Sequence, residues 1–209
     1  MRGETYKERV EQTFVKPARR IQDQVRNVLE LVQPQAEEYV LDIGCGTGKY
    51  CAIISRIAKI VGIDSSPASV QVASETVRRF GNPANSAICL AEGQAIPFQA
   101  DAFDKVMLID IIEHLVWDDF QACLSECYRV LKKEGKLFIY TPNKKHIFEF
   151  VRPRPAGHIA LRTREDIVDA LTVHQFRILR SYHRPAHLPI YQEVEKMLAR
   201  LTGCELFIK

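Results

Sequence analysis

Apolar positions along this chain recur with two periods, and the changes between them predict an ordered series of strands and helices. Short apolar runs, typical of strands buried on both faces, occupy residues 39–43, 59–64, 85–90, 103–110, 136–140, 176–179 and 205–208. Between them, apolar residues recur every three or four positions, which predicts helices over residues 49–58, 67–80, 118–131, 163–173 and 190–201. Strand–helix alternation of this kind is typical of an α/β fold built on a parallel sheet.

A glycine-rich turn after the first strand carries the strongest chemical signal. Residues 39–48 read Tyr-Val-Leu-Asp-Ile-Gly-Cys-Gly-Thr-Gly, and a helix is predicted directly after them. We expect such a turn to aim free backbone N–H groups at a ligand above the sheet. The spacing excludes a P-loop, which needs glycine where Ile43 stands and Ser or Thr where Tyr50 stands. It also excludes the dinucleotide fingerprint, whose third glycine would replace Lys49.

Residues 40–48 resemble motif I of the class I S-adenosylmethionine (SAM) dependent methyltransferases, within the small-molecule group of types 11 and 12. The likeness continues at residues 129–135 and 141–143. It implies a Rossmann-like α/β fold with a seven-stranded, mostly parallel sheet and helices on both faces. Residues 1–209 are then a single domain, with a helical leader over residues 1–34. SAM is the implied cofactor, and S-adenosylhomocysteine is the product.

The resemblance also implies which residues bind SAM. The set comprises Asp42, Gly44, Cys45, Gly46, Gly48, Asp64, Ser65, Glu92, Gly93 and Asp110. Asp42 is expected near the amino-acid moiety and Asp64 on the ribose, where a carboxylate at a strand end accepts both hydroxyls. Helix capping is the alternative role for Asp64. Glu92 replaces an aspartate of the family and is expected, with Gly93, at the adenine, while Asp110 is expected to face the sulfonium.

Methyl transfer to a hydroxyl also needs a group that removes a proton. His114, with Glu113 beside it and His158 further along, is the predicted catalytic set, because histidine titrates near neutral pH. The alternative is that His114 only caps the next helix or lines the pocket. Together with Asp110, these residues resemble a Glu-x-x-Glu-His pattern plus a later histidine that binds a divalent cation in some O-methyltransferases. Aspartate is one carbon shorter than the glutamate of that pattern, so we predict a site without metal.

Missing motifs narrow the acceptor. Residues 110–113 read Asp-Ile-Ile-Glu, without the Pro-Pro turn of nucleobase amino methyltransferases or the Pro-Cys pair of cytosine C5 enzymes. We therefore expect no DNA and a small-molecule acceptor, methylated at oxygen or carbon. Basic residues dominate residues 144–164, which we predict to form an acceptor-site loop or lid that favours an anionic acceptor. A solvated basic surface is the alternative.

Composition changes this prediction little. The formal charge is only +3, and the six cysteines include no C-x-x-C pair, which argues against a zinc site or a disulfide framework. No apolar run approaches the ~20 residues of a transmembrane helix, so we expect a cytoplasmic protein. Two other functions stay open: a SAM-fold protein without activity that acts as a binding or regulatory partner, and a small RNA methyltransferase. In the leader, Ile21, Val25 and Val28 belong to an apolar stripe. The residues considered for the cofactor mouth are Tyr6, Arg9, Phe14 and Arg19, and the equal alternative is an amphipathic helix that covers the edge of the sheet.

Overall fold

Five strands and six α-helices make up the part of the chain that the computed structural model describes, which is residues 6–17, 19–142 and 159–181. The helices are α1 Tyr6–Phe14, α2 Arg19–Val32, α3 Lys49–Ile54, α4 Pro67–Phe80, α5 Trp117–Val130 and α6 Arg164–Val173. The strands are β1 Tyr39–Ile43, β2 Lys59–Asp64, β3 Ser86–Leu90, β4 Phe103–Ile109 and β5 Leu131–Tyr140. Short 3-10 turns lie at Pro83–Asn85 and Ile112–His114.

All five strands are parallel, in the order β3-β2-β1-β4-β5. The chain therefore starts in the middle of the sheet, builds outward to β3, and returns to the other side of β1 with β4. Opposite Asp42 in β1 lie Gly62 in β2 and Met107 in β4. The order reverses at β1, and open sheets of this type bind ligands beyond the carboxyl ends of the strands at such a point.

Two apolar cores cover the two faces of the sheet and confirm the predicted α/β architecture. One core joins α2, α3 and α4 to the face that carries Val40 and Ile60. The other joins α5 and α6 to the face that carries Leu41 and Val61. Adjacent strand residues thus point into different cores, which explains why the strands read as continuous apolar runs.

The helix predicted over residues 49–58 is shorter than expected and ends at Ile54. Ser55 is fully buried, and its hydroxyl donates to the Ala52 carbonyl while accepting from the Asn82 N–H. The turn that follows leaves Ile57 44% exposed, although helical spacing had placed it on the buried stripe. A side-chain hydroxyl that bonds to nearby backbone competes with helix continuation.

The boundary between α5 and β5 also differs from the prediction. Leu131, expected in the helix, instead opposes Phe103 in the β4–β5 ladder. The register then shifts, so that Lys105 opposes Lys136, and Glu134 takes a positive φ of 69° in between. The predicted strand 136–140 is therefore the second half of a longer, bulged strand.

The strand predicted over residues 176–179 is reduced to one β-bridge residue, Ile178. Phe176 donates its N–H to the Leu171 carbonyl and so closes the end of α6 instead of joining a ladder. The helix predicted at 190–201, the strand predicted at 205–208 and most of the segment 144–164 lie outside the described residues. Within the described ranges, no helix is both long and apolar enough to cross a bilayer.

Candidate cofactor and acceptor site

The glycine turn after β1 adopts a conformation that glycine alone enters freely. Gly44, Gly46 and Gly48 have φ values of 70°, 54° and 74°. A Cβ on Gly44 would lie 2.6 Å from Ile111 Cδ1, and one on Gly48 would lie 2.8 Å from the Ala73 Cα. Helix α4 and the chain after β4 thus press directly on the turn.

The turn differs from the prediction in where its N–H groups point. The amides of Gly44 and Cys45 both donate to the Ile63 carbonyl, at 2.8 and 2.9 Å. The Gly48 N–H donates to the Cys45 carbonyl. The first two amides stabilise the turn against β2 and the third closes the turn on itself, so these three are not the free donors that we expected. What the glycines offer a ligand is close approach to bare backbone.

Asp64 ends β2 with both carboxylate oxygens in use. Oδ2 accepts from the Gly46 N–H and Oδ1 from the Ser66 N–H, each at 2.9 Å. A carboxylate has about four acceptor positions, so roughly half remain for a ligand. Helix α4 is capped by Ser66, whose hydroxyl accepts from the Ser69 N–H, and the cap role considered for Asp64 is thus filled by Ser66.

A cleft opens beside Asp64 at the carboxyl ends of the strands. It brings together five of the predicted cofactor residues, namely Gly44, Asp64, Ser65, Glu92 and Gly93. Ile43, Ile111 and Leu115 add an apolar wall, and Ala91 and Gln94 complete the lining. An apolar pocket with a few converging polar groups suits a small organic ligand that carries a flat ring.

Asp42 lies away from this cleft, beneath α3. Its side chain faces the same core as Val40, the residue is 2% exposed, and the Cys51 thiol donates to Oδ2 at 3.6 Å. Burial raises the pKa of this carboxyl to about 7, because the charged form loses its hydration. The Cys51 thiol hydrogen bond and the charge of Lys49 oppose this rise.

Asp110, just beyond β4, contacts the leader helix. Its φ is 53°, and its N–H donates to the Tyr140 carbonyl at 2.8 Å. Gln24 of α2 donates from Nε2 to Asp110 Oδ2 at 2.5 Å and accepts from Lys49 Nζ at 3.1 Å. Gln24 was not among the residues predicted from the sequence, although its position three residues after Ile21 on the apolar stripe of α2 was a usable signal.

Of the leader residues considered for the cofactor mouth, Phe14 lies elsewhere, and the side chains of Tyr6 and Arg9 are outside the described part of the structure. Phe14 stacks on Phe80 at the end of α4, with ring centroids 4.6 Å apart. This pair joins α1 to the core beneath the sheet. Gln24 therefore connects the leader to Asp110, and the apolar residues of α2 cover one face of the sheet.

Glu113 and His114 share one 3-10 turn but point in different directions. Glu113 is 1% exposed, and Thr141 Oγ1 donates to its Oε2 at 3.0 Å. Burial raises the pKa of Glu113, and the nearby negative charge of Asp110 adds to the rise. His114 is exposed at the surface of the turn.

This turn is held by the chain at residues 159–162. The Ile159 and Ala160 N–H groups both donate to the Glu113 carbonyl at 3.1 Å. The Arg162 guanidinium donates to the carbonyls of Ile112 and Leu115 and lies 4.4 Å from the centroid of the Phe120 ring. Arg162 is 5% exposed, so this member of the predicted basic loop faces inward.

A metal arrangement is not formed by the described part of the site. Among the residues that the structure describes, no group of three or more His, Cys, Asp or Glu side chains is placed to hold a metal ion. Asp110 turns toward Gln24 and Glu113 toward Thr141. His158, the fourth residue of the pattern, lies outside the described ranges.

Comparison with known proteins finds a family model and curated relatives that match part of this chain. Residues 41–139 match a family model described as a methyltransferase domain. The chain is 29% identical to a ubiquinone biosynthesis O-methyltransferase from Rhizobium etli, and this match of 168 residues covers 80% of this chain and 60% of that protein. It is 31% identical to a protein of the same name from a Chelativorans species, and this match of 106 residues covers 50% of this chain and 40% of that protein.

Solved structures share the fold. A SAM-dependent methyltransferase from Archaeoglobus fulgidus superposes with a TM-score of 0.65 and 18% identity, over 98% of this chain and 97% of that one. At this level of identity the likeness shows the fold alone. The chain spans about two fifths to three fifths of the length of the two curated relatives described above.

Proposed function

We propose that this chain, whose residues 41–139 match a methyltransferase-domain model, is a class I SAM-dependent methyltransferase and transfers the methyl group of SAM to an oxygen atom of a small-molecule acceptor. The observation that carries the proposal is the cleft at the point where the strand order reverses, lined by Gly44, Asp64, Glu92 and Gly93. Oxygen is proposed because two of the relatives, matching 50% and 80% of this chain, are named O-methyltransferases.

The donor set of the cleft fits SAM. Asp64 keeps unused acceptor positions for the two ribose hydroxyls, and Glu92 offers a carboxylate to the adenine amino group. Gly93 packs so closely on Ile43 and Cys123 that a Cβ would lie 3.1 Å from each, which keeps the floor of the cleft flat for a ring. When bound, SAM supplies a methyl group already activated by its sulfonium.

The protein's own part in the transfer is to orient the acceptor and to take up its proton. His114 stands four residues after Asp110, at the mouth formed by the carboxyl ends of the strands, and is the proposed base for the acceptor hydroxyl. The buried Glu113, bonded to Thr141 and held through its carbonyl by residues 159–160, fixes the turn from which His114 projects. His158 remains a predicted second proton acceptor.

An anionic acceptor also remains part of the proposal, as does a cytoplasmic site of action. Because Arg162 donates to backbone carbonyls inside the fold, it is not available to bind an anion. The basic residues left for this role in the segment 144–164 include Arg152 and Arg154.

The test is a transfer assay with methyl-labelled SAM and cell extracts separated into lipid, polar-metabolite and nucleic-acid pools. We expect label in the lipid or polar pool, and a fall in kcat of about a hundredfold or more in His114→Ala with unchanged SAM affinity. His174→Ala is the matched control, because His174 bonds to Gln121 between α5 and α6. Label in nucleic acid only, or in no pool, would overturn the proposal.

A further inference from the structure

Four side chains from three separate segments meet next to the cofactor cleft. Gln24 comes from the leader helix, Lys49 and Tyr50 open α3, and Asp110 follows β4. The Gln24 carboxamide lies between two opposite charges: Nε2 donates to Asp110 Oδ2 at 2.5 Å, and Oε1 accepts from Lys49 Nζ at 3.1 Å. One neutral amide thus links a carboxylate to an ammonium group.

Tyr50 adds a hydroxyl that has no hydrogen-bond partner among the described residues. The residue is only 5% exposed, and the Lys49 ammonium lies 4.5 Å from the centroid of its ring. Burial and then the charge of Asp110 raise its pKa, so the hydroxyl keeps its proton and can act as a donor. Buried polar groups are almost always paired, so an unpaired donor here points to a ligand atom that accepts.

The chemical pattern of this cluster is that of an α-amino acid receptor. A free amino acid carries an ammonium donor and a carboxylate acceptor on neighbouring carbons, much as a carboxamide carries a donor and an acceptor on one carbon. Asp110 would accept from the ammonium, while Lys49 and Tyr50 would donate to the carboxylate. The carboxamide carries no net charge, whereas a zwitterion brings an ammonium group to Asp110 and a carboxylate to Lys49. Two ion pairs would then replace two bonds between an ion and a neutral amide, and the added Coulomb attraction favours the zwitterion.

We propose that Gln24 acts as a placeholder, occupying the subsite for the amino-acid end of SAM in the free protein and leaving it when SAM binds. This inference rests on the proposed function. SAM binding then breaks the contact between the leader helix and Asp110, so the position of α2 depends on the cofactor. The apparent association constant for SAM is then the intrinsic constant multiplied by the fraction of molecules in which the amide has left the subsite.

The test is calorimetric titration with two ligands that share adenosine but differ at the amino-acid end. S-adenosylhomocysteine carries the zwitterion, and 5′-methylthioadenosine lacks it. In Gln24→Ala we expect S-adenosylhomocysteine to bind about threefold to tenfold more tightly, as expected when a closed state populated at about 70–90% is removed, with no change for methylthioadenosine. In Lys49→Met we expect about tenfold weaker binding of S-adenosylhomocysteine only.

Gln22→Ala is the matched control. It is the same substitution in the same helix, at an exposed side chain that donates to the Pro17 carbonyl, and it should change neither affinity. Weaker or unchanged binding of S-adenosylhomocysteine in Gln24→Ala would overturn the placeholder, as would equal changes for both ligands. If neither ligand bound the wild-type protein, the SAM assignment itself would fail and the inference with it.

Discussion

Asp42 should make this protein less stable as the pH rises. An aspartate whose pKa is lowered by its partners has the reverse effect, but at Asp42 burial outweighs the Cys51 hydrogen bond and the Lys49 charge. Its carboxyl has a pKa of about 7 in the folded chain because it is buried, against an unfolded value of 3.8. The folded state therefore binds more protons than the unfolded state between these two values. Stability from this group is fully present below the unfolded pKa and is lost as the pH rises through the folded one.

The size of the effect follows from the two pKa values. Between pH 5 and pH 8 the wild-type protein should lose about 3 kcal/mol of unfolding free energy through Asp42, since a tenfold difference in proton affinity corresponds to about 1.4 kcal/mol. Asp42→Asn keeps the shape of the neutral form and has no charge to bury. The variant should therefore gain about 3 kcal/mol relative to wild type over the same range.

Urea denaturation followed by circular dichroism at pH 5, 6, 7 and 8 measures this difference directly. Asp104→Asn provides a control whose effect should not change from pH 5 to pH 8, because the lowered pKa of Asp104 lies below this range. Burial alone would raise the pKa of Asp104, but hydrogen bonds from Lys132 and the Tyr39 N–H lower it overall, so its stabilising effect persists as the pH rises. Parallel curves for wild type and Asp42→Asn from pH 5 to pH 8 would refute the account of a buried, neutral carboxyl.

Two further predictions concern the cofactor turn. Asp64→Ala removes a carboxylate that is proposed to bind the ribose, so SAM affinity measured by calorimetry should fall at least about tenfold; an unchanged dissociation constant would contradict the ribose role. Gly48→Ala should lower the unfolding free energy by more than about 2 kcal/mol, because its Cβ would meet the Ala73 backbone at 2.8 Å. Gly46→Ala, where a Cβ would meet nothing closer than 4.0 Å, should cost only the backbone strain of about 1–2 kcal/mol; equal losses in urea denaturation would contradict the packing argument.

The sequence predicted the parts of this fold that depend on local patterns. The apolar strand runs and the close grouping of Gly44, Asp64 and Glu92 follow from periodicity and motif spacing. The α/β architecture was predictable because strands buried on both faces leave continuous apolar runs.

What could not be predicted depends on contacts between distant residues. Gln24 reaches Asp110 across 86 positions, and Arg162 reaches Ile112 across 50. The excess of basic residues assigned Arg162 to the predicted acceptor-site loop or lid, because a charged residue gives no sign in the sequence that it will be buried against carbonyls. The amides of Gly44 and Cys45 were misjudged for the same reason, since their acceptor is Ile63 on the neighbouring strand β2.

The contacts of Arg162 imply an order of events while the chain is being made. Every residue assigned to the adenosine part of the cleft is synthesised by Gly93, whereas the turn at Ile112–His114 is tied down by residues 159–162. At about 5–20 residues per second, the ribosome needs roughly 3 to 10 s to advance from the turn to the arginine that holds it. The residues proposed to bind the nucleoside are therefore all synthesised several seconds before the acceptor side is fixed. A chain that stopped between these points would contain those residues but would lack the segment that holds the turn of the proposed base.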